Sequence, residues 1–187
     1  VYADDLVNKY GVDAVRFYMI HEIPYASDGV YTEDLLIEAI NSNLANVLGN
    51  LVNRTIGMAK KYFDGVVENK EVVEDIDNEF KAQILGLKDS INNDIDKFRI
   101  ADSLEKVIEA YRRCNKYIDE TMPWALAKEE DKKDRLETVL WNLIQSISAG
   151  ARLLASFMPE TAEKILAQLG DGHVTDKPEI LFQRLDL

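Results

Sequence analysis

Asn50 and Arg54 stand four residues apart in a stretch of helical periodicity, so their side chains can converge on one small planar target. Arginine donates in a rigid fork and never accepts, whereas an asparagine amide does both. The plain alternative is an ordinary solvated i,i+4 pair. Trp124 follows Pro123 at a helix-breaking corner, where an indole can serve as a stacking platform worth roughly 1–3 kcal/mol per base. Its alternative is a core tryptophan that plugs the corner. Asn43, Asn46, Asn50 and Arg54 follow at three- and four-residue steps and form one stripe. Asparagine is a poor helix former because its amide competes with the backbone, so such a row is a local cost that wants a reason.

Catalytic chemistry finds little footing. His21 and His173 are far apart, and no nucleophile pattern lies near either. His173 beside Asp171 reads as a solvated turn rather than a metal site. Cys114 reads as a small core residue. Neither a GxGxxG nor a phosphate-loop glycine pattern occurs. The carboxylates are spread along helix surfaces and read as solvated faces. A formal charge of −12 argues against a protein that coats phosphate backbones, though not against one that reads a few exposed bases. One cysteine excludes an internal disulfide and a Cys-rich zinc site, and a reduced, cytoplasmic setting is the simplest expectation. No apolar run reaches membrane-span length and no signal-peptide pattern opens the chain. The first residue is Val1 rather than Met, which fits a processed start or a piece of something longer.

The elements that must position these residues are all helical. Residues 1–30 hold two short helices, Ala3–Val7 closed by Tyr10-Gly11 and Val12–His21, expected to pack on the long helix or on something absent. The long helix runs from Tyr31 to Phe63, with apolar residues from Leu36 to Ala59 at a period of 3.6. Thr32 is its N-cap and Asp64-Gly65 its end. Gly49 and Gly57 inside it would admit another helix closely. Residues 66–78 form an acidic connector. Helices over Glu79–Asp94 and Ile100–Glu120 follow, with a break expected near Asp96-Lys97, because the apolar phase slips around Phe98. Met122-Pro123 then turns the chain sharply, because a residue before proline leaves the helical region. A long helix from Asp134 to Phe157 holds Trp141 in the core, and a short one runs from Pro159 to Leu169. The tail, residues 171–187, is irregular, with Ile180, Leu181 and Phe182 as an apolar anchor. The predicted class is all-α, an antiparallel helix bundle.

Tyr10-Gly11-Val12-Asp13-Ala14-Val15-Arg16-Phe17-Tyr18, with Glu22-Ile23-Pro24 and Ser27-Asp28-Gly29, resembles the segment after the KMSKS loop of methionyl-tRNA synthetases. Asn43-Leu44-Ala45-Asn46 and Gly49-Asn50-Leu51-Val52-Asn53-Arg54 resemble that family's first anticodon-domain helix. Asn115 to Trp124 resembles its second signature, and Lys177-Pro178-Glu179 with Leu181-Phe182 and Arg184 its terminal peptide. His21 stands where the family usually has arginine, and Ile180 and Gln183 where proline is common.

The resemblance implies residues 1–30 as a remnant of the stem-contact region, 31–170 as the anticodon-binding domain of a class I aminoacyl-tRNA synthetase, and 171–187 as a linker peptide. It implies that Asn50, Arg54 and Trp124 read the first base of a CAU anticodon, supported by Asn46, Asn53 and Pro123. The partners would be the anticodon loop of tRNA(Met) and a catalytic domain in cis, with no membrane. In a family member the HIGH and KMSKS motifs and the zinc-bearing insertion precede Val1. The chain itself is therefore expected to hold no cofactor and to be inactive alone, with ATP, and zinc in many members, bound by the catalytic region of a methionine–tRNA ligase. Two other readings stand beside this: the same domain of another class I synthetase, and a helical scaffold that binds proteins.

Overall fold

Thr32 starts the longest rod of the molecule. Its backbone is extended, its hydroxyl accepts from the Leu35 N–H at 3.2 Å, and Glu33 and Asp34 sit at the positive end of the helix it caps. The computed structural model describes residues 2–186. Ahead of the rod lie α1 (Ala3–Tyr10) and α2 (Val12–His21), hinged at Gly11, whose φ of 87° suits a residue without a Cβ.

The rod itself runs without a break as α3 (Glu33–Ala39), a π-helical segment (Ile40–Gly49) and α4 (Asn50–Phe63). The uniform 3.6-residue period expected here is therefore interrupted. Within the π segment the Asn50 N–H reaches five residues back to the Ala45 carbonyl, and the buried positions Ile40, Leu44 and Leu48 step by four. Asp64, left-handed at φ 51°, ends the rod.

The acidic connector is tied down along its length. Val67 donates to the Gly172 carbonyl at 2.9 Å beside an isolated bridge between Val66 and His173. The N–H groups of Glu68 and Val72 bind the side chains of Glu137 and Thr138. α5 (Asp75–Leu85) begins four residues before the predicted start, because Glu74 and Asp77 form a capping box. Gly86 separates it from α6 (Leu87–Asp96), where one helix was expected. α6 ends at Asp96, where the break near Asp96-Lys97 was expected, and Phe98 follows at φ 58°. Then come α7 (Ile100–Thr121), α8 (Pro123–Leu126), α9 (Lys133–Leu154) and α10 (Pro159–Leu169). An antiparallel all-α bundle results, with the expected class.

Leu44, Leu48, Leu51 and Ile56 of the rod meet Leu104, Ile108 and Cys114 of α7 and Leu140, Ile144 and Ile147 of α9 in one buried core. Burial pushes the Cys114 thiol up to about 12, which keeps it an inert packing group. The close helix approach lies at Gly150, where a Cβ would stand 3.0 Å from the Tyr111 ring, rather than at the predicted glycines. Gly57 faces open space and Gly49 faces the tail backbone at Phe182.

The first thirty residues pack on the bundle through charges that match helix ends. Asp13 accepts from the Thr161 N–H at 2.6 Å, at the positive start of α10. Arg16 donates to the carbonyls of Phe157 and Ser156, just past the end of α9. The tail lies along the surface, clasped at the Asp176 carbonyl by Lys60, at Glu179 by Gln168 and at Leu185 by Asn41. Its apolar anchor is Leu181, Phe182 and Leu185; Ile180 is 66% exposed, against expectation, because its neighbours Leu181 and Phe182 take the places against the core.

Candidate nucleic-acid interface

The corner at Met122-Pro123 is held from below by buried charge. Asp77 is fully buried, and Arg135 grips both of its oxygens at 2.5 and 3.0 Å. Tyr117, on α7, donates its hydroxyl to the same carboxylate at 2.5 Å and accepts from Asn142 at 3.2 Å. Its ring stacks on Phe80 with centroids 4.3 Å apart. Burial opposes the charge on Asp77, yet the hydrogen bonds from Arg135 and Tyr117 hold its carboxyl below the usual carboxylate range. Burial also raises the Tyr117 hydroxyl, which keeps it a donor. Reading every carboxylate as a solvated face thus fails at Asp13, Asp77, Asp94 and Glu137, all buried. The Glu74-to-Asp77 capping spacing was the signal for one of them.

Above that anchor, Thr121 bonds back to the Tyr117 carbonyl at 2.7 Å, and Met122 turns left-handed at φ 46°. Pro123 opens α8 at a position where a missing N–H costs nothing, and its ring is buried. Trp124 comes next and is 44% exposed, so the indole is an accessible plate rather than a core plug.

Arg54 belongs to the neighbouring rod. Its guanidinium stands 3.7 Å from the Asp119 carboxylate on the last turns of α7. The cation therefore lies beside the helix that bends into Trp124. Asn46, Asn50 and Asn53 are all exposed, and none makes a side-chain hydrogen bond among the described residues. Their amides are free to bind a ligand edge.

Asn43 of the row, and two asparagines outside it, have structural work. Asn43 accepts from Arg112 at 2.8 Å, and Asn41 pairs with both backbone groups of Leu185. Asn115 donates to the Val47 carbonyl inside the π segment at 3.2 Å. Sequence reasoning did not single out Asn41 or the Asp77–Arg135 pair, whose partners lie far along the chain. The π segment matters for phase, since a change of helical pitch ends at Gly49 and Asn50 opens the α-helical run that carries Arg54. Such interruptions are frequent at functional sites.

His21 stacks on Phe17 and binds Glu105 and Glu22, away from the corner. Among the described residues no cluster of three or more His, Cys, Asp or Glu could hold a metal ion, and no helix is long and apolar enough to cross a membrane. Trp141, expected in the core, is only partly buried and borders a groove between α5 and α9. An indole plate can stack, a guanidinium can donate in a fork and an amide can both donate and accept, which are the means to bind an unpaired base.

A family model for class I tRNA synthetases (M) matches residues 1–56, and one for the anticodon-binding domain of tRNA ligase matches residues 77–184. Curated methionine–tRNA ligases are similar. That of Clostridium acetobutylicum is 43% identical over 97% of this chain and 31% of its own length. That of Clostridium tetani is 45% identical over 88% of this chain and 26% of its own. The apo methionyl-tRNA synthetase of Mycobacterium tuberculosis superposes with a TM-score of 0.92 at 30% identity, covering 100% of this chain and 41% of that one. The chain therefore spans less than a third of the length of these curated relatives.

Proposed function

The chain belongs to the family of anticodon-binding domains of tRNA ligases, and from that premise we propose that it is the anticodon-reading part of a methionine–tRNA ligase. Residues 31–170 form the reading domain, residues 1–30 the stem-contact region and residues 171–187 a linker. The whole protein joins methionine to tRNA(Met) in the cytoplasm at the expense of ATP, which a catalytic region in cis binds.

Trp124 stacks on the first base of the CAU anticodon, a cytosine. Arg54 and Asn50 bond its Watson–Crick edge, with Asn46, Asn53 and Pro123 in support. Cytosine offers acceptors at N3 and O2. Uracil carries a donor at N3, which would face a guanidinium that can only donate. The same pair thus accepts one pyrimidine and rejects the other. By analogy with bidentate base contacts, the discrimination is about 1–3 kcal/mol. Loop bases are exposed for this kind of reading, and affinity then rests on base contacts rather than a phosphate track, which accords with the acidic charge.

The observation that carries the reading is the Arg54 guanidinium 3.7 Å from Asp119, on the helix that turns into a half-exposed Trp124. In the full-length enzyme, Trp124→Ala and Arg54→Ala should each cut kcat/KM for charging tRNA(Met) about 10- to 150-fold, with helical circular dichroism unchanged. Unchanged charging by both variants would refute it.

A further inference from the structure

Asn115 stands on α7 one turn before Asp119, and both side chains reach across to the rod. The Asn115 amide nitrogen donates to the Val47 carbonyl at 3.2 Å and to the Tyr111 carbonyl of its own helix at 3.3 Å. An amide has two N–H groups, so both are committed and the plane of the side chain is fixed. The amide oxygen is buried and has no partner among the described residues. A buried acceptor left unpaired is a standing cost. An apolar side chain would fill the same space without that cost, so packing alone does not account for an amide here.

The carbonyl that Asn115 holds belongs to the change of pitch. The Asn50 N–H divides between the Ala45 carbonyl, five residues back, and the Val47 carbonyl, three residues back. Val47 is thus a shared acceptor, bonded by the backbone of Asn50 and by the side chain of Asn115. The same segment is crowded at Gly49, where a Cβ would stand 3.2 Å from the Leu44 carbonyl and 3.7 Å from the Phe182 carbonyl of the tail. One hydrogen-bonded atom therefore separates Asn115 from the backbone of a residue assigned to base reading.

We infer that Asn115 is a positioning residue, given the anticodon reading proposed above: it holds the Val47 carbonyl, and through it the Asn50 backbone, so that the wide turn ends at Gly49 and Asn50 stays in line with Arg54. An α-helix advances about 100° per residue and a π turn advances less, so a changeover displaced past Gly49 would turn Asn50 round the axis relative to Arg54. Asn115 acts through Asn50 rather than on the base. α7 bends into Trp124 nine residues further on, so one helix carries the stacking plate and sets the rotation of the rod that carries the amide and the fork.

The test uses the full-length enzyme with Asn115→Ala or Asn115→Asp, and with Ile91→Val, a change in the buried core of α6, as a control for a small loss of stability. Aspartate keeps the shape of asparagine but sets oxygen against both carbonyls. Charging is measured on tRNA(Met) and on the same tRNA with uracil as the first anticodon base. The ratio of the two kcat/KM values should fall about 3- to 10-fold in both Asn115 variants, the span of one lost neutral hydrogen bond, and keep its parental value in Ile91→Val. Amide exchange over residues 47–54 should quicken in the Asn115 variants alone, with residues 140–147 at the parental rate. A parental ratio in both Asn115 variants would overturn the inference. So would a parental ratio in Asn115→Asp alone, which would assign the effect to side-chain volume, or an equal fall in Ile91→Val, which would assign it to general stability. Arg54→Ala and Trp124→Ala, run alongside, separate the two readings. If they charge normally, the anticodon reading fails; if they lose charging while the Asn115 variants keep the parental ratio, only the positioning role fails.

Discussion

Arg54 and Asp119 face each other at 3.7 Å between α4 and α7, five residues before Trp124. Both side chains are open to water, 35% and 68% exposed, so the pair contributes at most about 1 kcal/mol to folding. The contact parks a cation beside the corner without binding it tightly. Arg54→Ala should therefore change the urea-derived stability by less than about 1 kcal/mol. The same variant should lose the preference for a CAU over a UAU stem-loop, measured side by side by fluorescence anisotropy at one salt concentration. Arg54→Lys keeps the charge but not the fork. It should recover affinity at low salt while leaving the preference lost.

Trp124 separates stacking from stability in the same way. An indole 44% exposed gives the core little, so Trp124→Ala should leave the melting temperature within a few degrees. Binding of the CAU stem-loop should weaken by about 1–3 kcal/mol. Trp124→Phe retains an aromatic face and should restore part of that loss. In a Trp141→Phe background, addition of the stem-loop should quench Trp124 fluorescence, and a non-cognate stem-loop should quench it less at equal concentration.

The corner, the helices and the exposed amides were legible in the chain because each rests on local chemistry. Thr32 caps the next turn, Pro123 disfavours a helical conformation in the residue before it, and Asn50 and Arg54 share a face by simple spacing. What was not legible depends on partners far away. Asn41 and Asn50 look alike in the sequence, yet Asn41 is committed to Leu185, 144 residues on. Asp77 looked solvated because Arg135, which neutralises it, lies 58 residues beyond. The π segment was hidden because its stripe of Ile40, Leu44 and Leu48 also fits one face of an ordinary helix. Trp141 sits among aliphatic neighbours in the chain, and only the fold leaves one side of it open beside Leu85.

The Asp77–Arg135–Tyr117 cluster makes a prediction about acid. Breaking a buried pair from one side leaves an uncompensated charge, so Asp77→Ala should cost about 3–5 kcal/mol. The folded carboxyl is held below the ordinary range, because its bonds to Arg135 and Tyr117 outweigh burial. The unfolded chain then takes up the proton first as pH falls through about 4. The contribution of Asp77 is fully present above that pH and drains away as pH drops toward the folded value. Urea midpoints measured from pH 7 to pH 3 should therefore fall less steeply in Asp77→Asn than in the parent, from a lower starting stability.

The last prediction concerns the strap. Asn41 donates to the Leu185 carbonyl at 2.9 Å and accepts from the Leu185 N–H at 2.8 Å, mimicking a strand partner for one residue of the tail. A neutral hydrogen bond contributes about 0.5–1.5 kcal/mol net, so losing both should release the end of the tail and leave the bundle intact. In Asn41→Ala, the Leu185 amide should exchange with solvent roughly 5- to 150-fold faster, the span corresponding to about 1–3 kcal/mol. The Leu51 amide, inside the core, should keep its parental rate. Asn41→Asp is the sharper variant. Its carboxylate still accepts from the N–H but sets oxygen against the Leu185 carbonyl where a donor stood, so the tail should be freed at least as far as in the alanine variant. The Phe182 backbone, which passes over Gly49 at the end of the π segment, should loosen with it. If Leu185 exchange is unchanged in both variants, the clasp at Asn41 is not what holds the tail.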